Sequence, residues 1–380
     1  MKPSHYNFSQ IIAHFSIEEK VTAIKPYGSG HINGTYHLQT SAQNSPGYLL
    51  QLVNSHVFKD VEGLIKNILT VTSHIRQKLA EKNISNAADR VLDLVPTRRG
   101  AYFYQDPDGN YWRVYVFIKN TKSYDQANTL HQAYQTGFAF GQFQSLLTEL
   151  DASLLTETIP NFHHIDDRMA NLNTAVKADY CQRLSECVTE IDFINEHHQS
   201  MRQVITMYKN GKLPLRIIHN DTKFNNVLLD ENDNAQCVID LDTVMPGLVA
   251  YDFGDAIRTI INTAPEDEPD LSKIDLNLDL FEAYTKGYFE QASHFLTENE
   301  IISLTPGVLL LPFIQAVRFL TDFLEGDHYF KTHLEHHNLQ RARAQLQLVK
   351  KLRQYTPQLN YTIYKLANRP TIFHSLSTTS

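Results

Sequence analysis

Three cysteines in 380 residues, with no CxxC pair among them, leave neither a disulfide framework nor a thiolate cage for zinc. An odd count of free thiols points instead to a reduced, cytoplasmic setting. No run of about 18 apolar residues is present to cross a bilayer, and the opening MKPSHYNFSQ lacks the apolar core of a signal peptide, so no membrane partner is expected. Positive charge is also in deficit. Lys and Arg number 34 against 42 Asp and Glu, for a net charge of −8, and a nucleic-acid partner would require a basic face instead. Histidines are plentiful, but the stretch around His333 and His337 reads HLEHH, not HExxH, and supplies no third metal ligand. His163-His164 and His197-His198 read as surface or loop pairs. What remains is a globular chain, 42% hydrophobic and 20% charged, long enough for two lobes with cores of their own.

Apolar periodicity divides the chain in two. Phe8, Ile11, Ile12 and Phe15 suggest a short helix up to about Glu19, and a strand begins at Val21. A glycine-bearing turn, YGSGHINGTY, leads into an alternating strand over Tyr36–Thr40, and Tyr48–Val53 is a third. Residues 60–82 form an amphipathic helix with Leu64, Ile68, Val71 and Ile75 on one face. Val91–Val95 follows, then a hairpin turning at PDG, whose second strand, Trp112–Ile118, should be buried and central, with Trp112 in core packing. Beyond it the pattern is mostly helical: 125–150, with Gly137 and Gly141 allowing close approach to a neighbour, then two segments over 165–208. Helices at 276–292, 297–304, 306–325 and 338–354 come next, and a loose tail ends the chain. Cys181 and Cys187 fall inside one of these helical segments as buried hydrophobes.

One stretch interrupts the helices: LRIIHNDTKFNNVLLDENDNAQCVIDLDTVMPGLVAYDFGDAIR, residues 215–258. An apolar run delivers His219-Asn220-Asp221 into a loop, Asn226 follows in the pattern H-x-D-x-x-x-x-N, and a second strand over 236–239 carries out Asp240. The ENDN connection folds the two strands together. Phosphoryl transfer needs this set: one carboxylate to orient the attacking hydroxyl, and an amide plus a second carboxylate to hold magnesium on the phosphates. HxDxxxxN by itself is a weak motif, and the apolar-Asp-apolar-Asp that follows makes it specific.

On these residues the chain resembles the aminoglycoside phosphotransferase and choline kinase relatives, and within them the N-acetylhexosamine 1-kinases, through HNDTKFNNVLLD, VIDLDTVMPG, YDFGDAIR and GSGHINGTY. The resemblance implies an α+β, bilobal, protein-kinase-like fold. An N-terminal nucleotide-binding lobe over 1–119 would hold an antiparallel sheet and a helix, and a larger, mainly helical lobe over 120–380 would hold the catalytic stretch. It implies Asp221 as catalytic base, Lys223 as the lysine steadying the transferring phosphoryl group, and Asn226 and Asp240 as ligands of Mg2+. Asp252-Phe253-Gly254 spells the kinase metal triplet, but it lies thirty-one residues after Asp221, whereas Asp240 lies nineteen after, near the kinase spacing. Asp252 and Asp255 are therefore expected to brace the catalytic loop or cap the next helix. ATP as co-substrate would lie under Gly28, Ser29, Gly30, His31, Asn33 and Gly34, with its adenine at the end of the strand that carries Phe117.

The chain departs from the kinase pattern at Gln51. A lysine on the third strand would reach the phosphates there, and without one the pairing role of Glu62 on the next helix is in doubt. Lys223 is the expected substitute. RFLTDFLEGDHYF resembles a sugar-contacting segment of the N-acetylhexosamine kinases, which implies Arg318, Tyr329 and Asp322 as substrate residues, although Arg318 and Asp322 also have the spacing of a surface ion pair. The resemblance thus implies phosphorylation of the anomeric hydroxyl of GlcNAc or GalNAc. Two other readings stand beside it: a kinase for an aminoglycoside, amino alcohol or other sugar, and a nucleotide-binding regulatory protein without turnover.

Overall fold

The computed structural model describes residues 6–28, 32–41, 47–84 and 86–368. The nucleotide-side lobe opens with a six-residue helix, α1 (Phe8–Ala13), shorter than the sequence suggests. Then come β1 (Val21–Pro26), β2 (Gly34–Thr40) and β3 (Tyr48–Val53), followed by helix α2 (Val61–Glu81), β4 (Tyr104–Gln105) and β5 (Tyr111–Val116). They make one antiparallel sheet in the order β1-β2-β3-β5-β4. Asp60 starts α2 by accepting the Gly63 N–H at 2.8 Å, and Leu64, Ile68, Val71 and Ile75 turn inward from it. Val91–Val95 is not a regular strand. It runs along β5 instead, with the Val95 N–H donating to the Val114 carbonyl at 2.8 Å and the Val116 N–H to that of Asp93 at 2.9 Å. Trp112 is fully buried, and its indole N–H donates to Asp106 at 2.8 Å.

The second lobe is helical around two small β ladders. Helix α3 (Leu130–Leu146) starts at Thr129, whose hydroxyl accepts the Gln132 N–H, so residues 125–128 remain outside it. Helices α4 (Ile165–Ala178), α5 (Val188–Met201) and α6 (Gln203–Lys209) occupy the span in which two helices were expected. Neither Cys181 nor Cys187 lies within a helix. A left-handed Asp179 ends α4, which leaves Cys181 exposed in the turn, and Cys187 is buried at the threshold of α5. β6 (Arg216–Ile218), β7 (Val227–Leu229), β8 (Ala235–Val238) and β9 (Met245–Gly247) follow, β6 pairing with β9 and β7 with β8. The chain closes with α7 (Val249–Ile260), α8 (Leu278–Ala292), α9 (Glu298–Glu325), α10 (His337–Gln354) and α11 (Thr356–Leu366), the last unforeseen from sequence.

Helix α9 is continuous where the sequence suggested a break before Pro306. Both Pro306 and Pro312 lie inside it. Each removes a rung of the hydrogen-bond ladder, but a complete Thr297–Glu300 capping box and burial of most of the helix outweigh that loss. Its length and its apolar stretch would suit a membrane, yet 78% of that stretch is buried within the fold. Against α3 lies α8, in a crossing that only glycine permits. A Cβ on Gly137 would fall on the Tyr284 backbone, and one on Gly287 on the Tyr134 backbone.

Candidate active site

Strand β6 delivers the loop, and the residues after it are pinned from three sides. Asn220 takes a left-handed φ of 65° and donates its side-chain amide to the Thr243 carbonyl at 3.0 Å. The His219 ring meets the Ile239 carbonyl at 2.8 Å, and the Thr243 hydroxyl donates to the His219 carbonyl at 2.7 Å. Asp252, in the first turn of α7, supplies the third side. Its buried carboxylate accepts the His219 and Asn220 N–H groups at 2.9 and 2.7 Å and the Gln144 amide at 2.8 Å, while its carbonyl accepts the Thr222 hydroxyl at 2.5 Å. A carboxylate so engaged has little left for a metal, and its place is behind the loop. Asp255 holds the Arg258 guanidinium through its Oδ1 alone, at 2.8 and 3.0 Å.

In front of this brace the three expected groups meet. Lys223 Nζ lies 2.8 Å from the Asp221 carboxylate, and the Asn226 amide nitrogen donates to both the Asp221 carbonyl and its carboxylate. Burial alone would raise the Asp221 carboxyl, but Lys223 and His219 outweigh it and hold it below the usual range. Asp221 is thus held as an ionised hydrogen-bond acceptor. Asp221 in turn, against the cost of burial, holds the Lys223 ammonium above its ordinary range.

Asp240, two residues after β8, takes a left-handed φ of 58° and lines the cleft. The residue is exposed within the cleft and its carboxylate has no hydrogen-bond partner among the described residues; partial loss of bulk water there, with Asp242 and Asp221 beside it, raises its pKa above the usual carboxylate range. Such a carboxylate, with two more beside it, is short of a cation. The donor set of one acid oxygen and the Asn226 amide oxygen is hard and sparse. No group of three or more His, Cys, Asp or Glu able to ligate a metal occurs among the described residues. This suits magnesium, which keeps waters and draws further ligands from phosphate, better than an ion that needs a full protein cage.

These groups line one cleft of about 830 Å³ between the lobes. Its apolar end carries Leu49, Val116, Phe117 and Ile118, with Phe117 packed on His37 at 4.5 Å and on Tyr27 at 5.6 Å. Gly28 has a φ of 76° and open space where a side chain would sit, as a turn over phosphates requires. Gly34 begins β2 in ordinary contact with Leu52. Ser29, Gly30 and His31 lie outside the described residues. Asn33 lines the cleft, but its amide is engaged elsewhere, donating to Asp242 at 2.7 Å and accepting the Asn54 N–H at 3.0 Å. Gln51 also differs from expectation. Its carbonyl accepts Arg113 Nε and Nη2 at 3.0 and 2.9 Å and its amide donates to Thr35, so its oxygen is spent on Arg113 and one amide N–H on Thr35. Lys59 and Glu62 do not line the cleft. Arg113 was not singled out in the sequence, although a charge in the middle of the apolar strand YWRVYV was the available signal.

The part of the cleft around Tyr329 shows a second correction. Tyr329 lines the cleft and is 45% exposed, but Asp322 is 3% exposed and outside it. The Asp322 oxygens accept the N–H groups of His328, Tyr329 and Phe330 and the Asn338 amide, all within 3.0 Å. Asp322 therefore shapes the turn that presents Tyr329 and has no lone pair to offer a substrate. It makes no ion pair with Arg318. That guanidinium sits among the rings of Phe162, Tyr329 and Phe330 at 5.0–5.6 Å, one layer behind the wall, with a 3.4 Å contact to the Tyr329 hydroxyl.

A family profile described as phosphotransferase enzymes matches residues 23–289, which contain the whole catalytic stretch. The chain belongs to the phosphotransferase enzyme family. Among solved structures it is similar to an aminoglycoside phosphotransferase from Alicyclobacillus acidocaldarius, with a TM-score of 0.60, 11% identity, and 94% and 96% of the two chains covered. A Plasmodium vivax ethanolamine kinase aligns with a TM-score of 0.55 and 13% identity over 87% of this chain and 83% of that one. A GDP complex of an aminoglycoside 2'-phosphotransferase aligns with a TM-score of 0.52 and 12% identity over 93% and 98%. At such identities the likeness is one of fold: the phosphotransferase enzyme family's bilobal, protein-kinase-like architecture.

Proposed function

We propose that this member of the phosphotransferase enzyme family transfers the γ-phosphoryl group of ATP to the anomeric hydroxyl of an N-acetylhexosamine, giving the sugar 1-phosphate. The observation that carries the kinase reading is that Asp221, Asn226 and Asp240 all line one cleft, with Lys223 paired to Asp221. A neighbour of the same fold solved with GDP supports a nucleotide in that cleft. The sugar rests on the wording of the catalytic stretch and on the charge of the cleft lining. A polycationic aminoglycoside or an amino alcohol would be met by acids. Here the lining carries Lys331 and Arg341, and of its two acids outside the Asp221–Asp240 group Glu266 is paired with Arg258, while Asp125 accepts the Asn225 amide. An uncharged polyol fits that lining better.

In this reading Asp221 accepts a hydrogen bond from the sugar hydroxyl and aims it at the phosphorus. Its depressed basicity means that the proton moves only as the new P–O bond forms. Asn226 Oδ1 and Asp240 would hold Mg2+, which supplies charge neutralisation on the phosphates. Lys223 keeps Asp221 ionised and offsets charge on the transferring group. The catalysis is mainly positioning and preorganised charge.

The deciding experiment follows magnesium-dependent ADP release over N-acetylhexosamines, free hexoses, aminoglycosides, choline and ethanolamine, with the phosphorylated position assigned by 31P NMR. Turnover confined to aminoglycosides or amino alcohols would remove the sugar assignment. No turnover with any acceptor, in a protein that binds nucleotide, would favour a regulatory protein.

A further inference from the structure

In the β3–β5 ladder Gln51 stands directly opposite Arg113, so both side chains leave the same face of the sheet. In a protein-kinase site that face carries the third-strand lysine, held by a glutamate from the adjacent helix. Here the third strand offers an amide and the helix offers no acid to the cleft, while a cation stands one strand over. Arg113 is 1% exposed and lines the cleft. Its Nη1 and Nη2 lie 2.6 and 2.9 Å from the two Asp242 oxygens, its Nε and Nη2 donate to Gln51, and the Tyr115 ring lies below at 5.1 Å. Asp242 follows two residues after Asp240 in the same turn and is 2% exposed.

A buried arginine is costly to desolvate and is kept where its planar fork grips two partners at once. The partners here belong to different lobes: Gln51 from the sheet, and Asp242 from the turn that presents the unpartnered Asp240 carboxylate. Lysine could not reach both. The fork therefore does two things that the Lys–Glu pair of a protein kinase does not combine. It brings the sheet's charge to the phosphate end of the cleft, and it ties the metal-side turn to that sheet.

We propose that Arg113 takes the place of the third-strand lysine as a positioning residue of the nucleotide site, acting through Asp242 on the turn that carries Asp240. The inference rests on the cleft being a kinase site for a magnesium nucleotide. It predicts that Arg113 governs nucleotide and magnesium use and not acceptor affinity. It also predicts that the charge can be returned to the third strand, because positions 51 and 113 face the same space.

The test is calorimetric titration of ADP, with magnesium and with EDTA, into the wild-type protein, Arg113→Gln, and the strand-swapped pair Gln51→Lys/Arg113→Gln. KM for the acceptor is measured alongside. If the wild-type protein does not bind MgADP, the kinase reading itself fails. If it does, Arg113→Gln is expected to bind MgADP more than about tenfold more weakly, a difference of about 1.4 kcal/mol. The loss should be smaller in EDTA, the acceptor KM should hold within about twofold, and the swap should recover most of the affinity, which a merely structural role would not give. A folded Arg113→Gln that binds MgADP within about tenfold of wild type overturns the inference. Should that variant not fold, the swap decides alone: affinity within about tenfold of wild type supports the inference, and a larger loss in a folded swap overturns it.

Discussion

The Asn226 amide nitrogen lies 2.8 Å from the Asp221 carbonyl and 3.1 Å from its carboxylate, which fixes both residues and leaves the Asn226 oxygen as the free end. The two side chains are thus set by one another. Asp221→Asn should keep the loop in place and keep nucleotide affinity, while kcat falls by about 10²–10⁴. Rapid-quench or coupled assays at saturating acceptor would measure it, and near-normal turnover would remove Asp221 as the base.

Asp240 and Asp252 should separate cleanly. Asp240→Ala is expected to fold as well as wild type and to lose magnesium-dependent nucleotide binding. Asp252→Ala strips three buried donors of their partner, and should cost about 3 kcal/mol or more of stability. Urea midpoints and MgADP titrations on both variants decide. Metal affinity lost in a stable Asp252→Ala variant, and kept in Asp240→Ala, would reverse the assignment.

His163 gives the protein an acid-sensitive point. Its ring meets the Asn220 carbonyl at 3.0 Å, and burial lowers its pKa to about 4, with Arg318 and Arg168 adding to the shift and Asp255 opposing it. The unfolded chain, near 6.5, binds the proton more readily, so stability is full above that value and falls as pH drops toward 4. The loss approaches roughly 3 kcal/mol. Chemical denaturation at pH 7.5 and 4.5 should show the difference, and His163→Gln should flatten it. An unchanged slope in that variant would assign the acid sensitivity elsewhere.

At the α3–α8 crossing, Gly137→Ala should destabilise the second lobe by about 3 kcal/mol, because the added methyl meets the Tyr284 backbone and not a movable side chain. The intrinsic preference of helices for alanine, about 1 kcal/mol, acts in the opposite direction and is the smaller term. A thermal midpoint equal to or above wild type would show that the helices separate without cost.

The catalytic stretch was legible because its residue types, order and spacing each carry chemistry, and a hairpin is a local object. The lobes were legible through periodicity. What was hidden depends on partners distant in sequence. Gln51 looked like a weakened phosphate contact until Arg113, sixty-two positions on, was seen to use it. Asp322 matched a substrate-contacting segment, yet its backbone donors six to eight residues later take up its oxygens. Pro306 carried a stop signal that burial in the helix bundle overrides, and no local rule weighs those two against each other.

Asn67, in the middle of α2, is wholly buried and donates its amide to the carbonyls of Thr156 and Val244 at 2.7 and 3.1 Å, while accepting the Thr156 N–H at 2.9 Å. In protein kinases the helix at this place swings, and its glutamate makes or breaks the active arrangement. A swing of α2 would strand three buried polar groups at about 1–3 kcal/mol each. The helix is bolted at the place where a protein kinase has its regulatory lever.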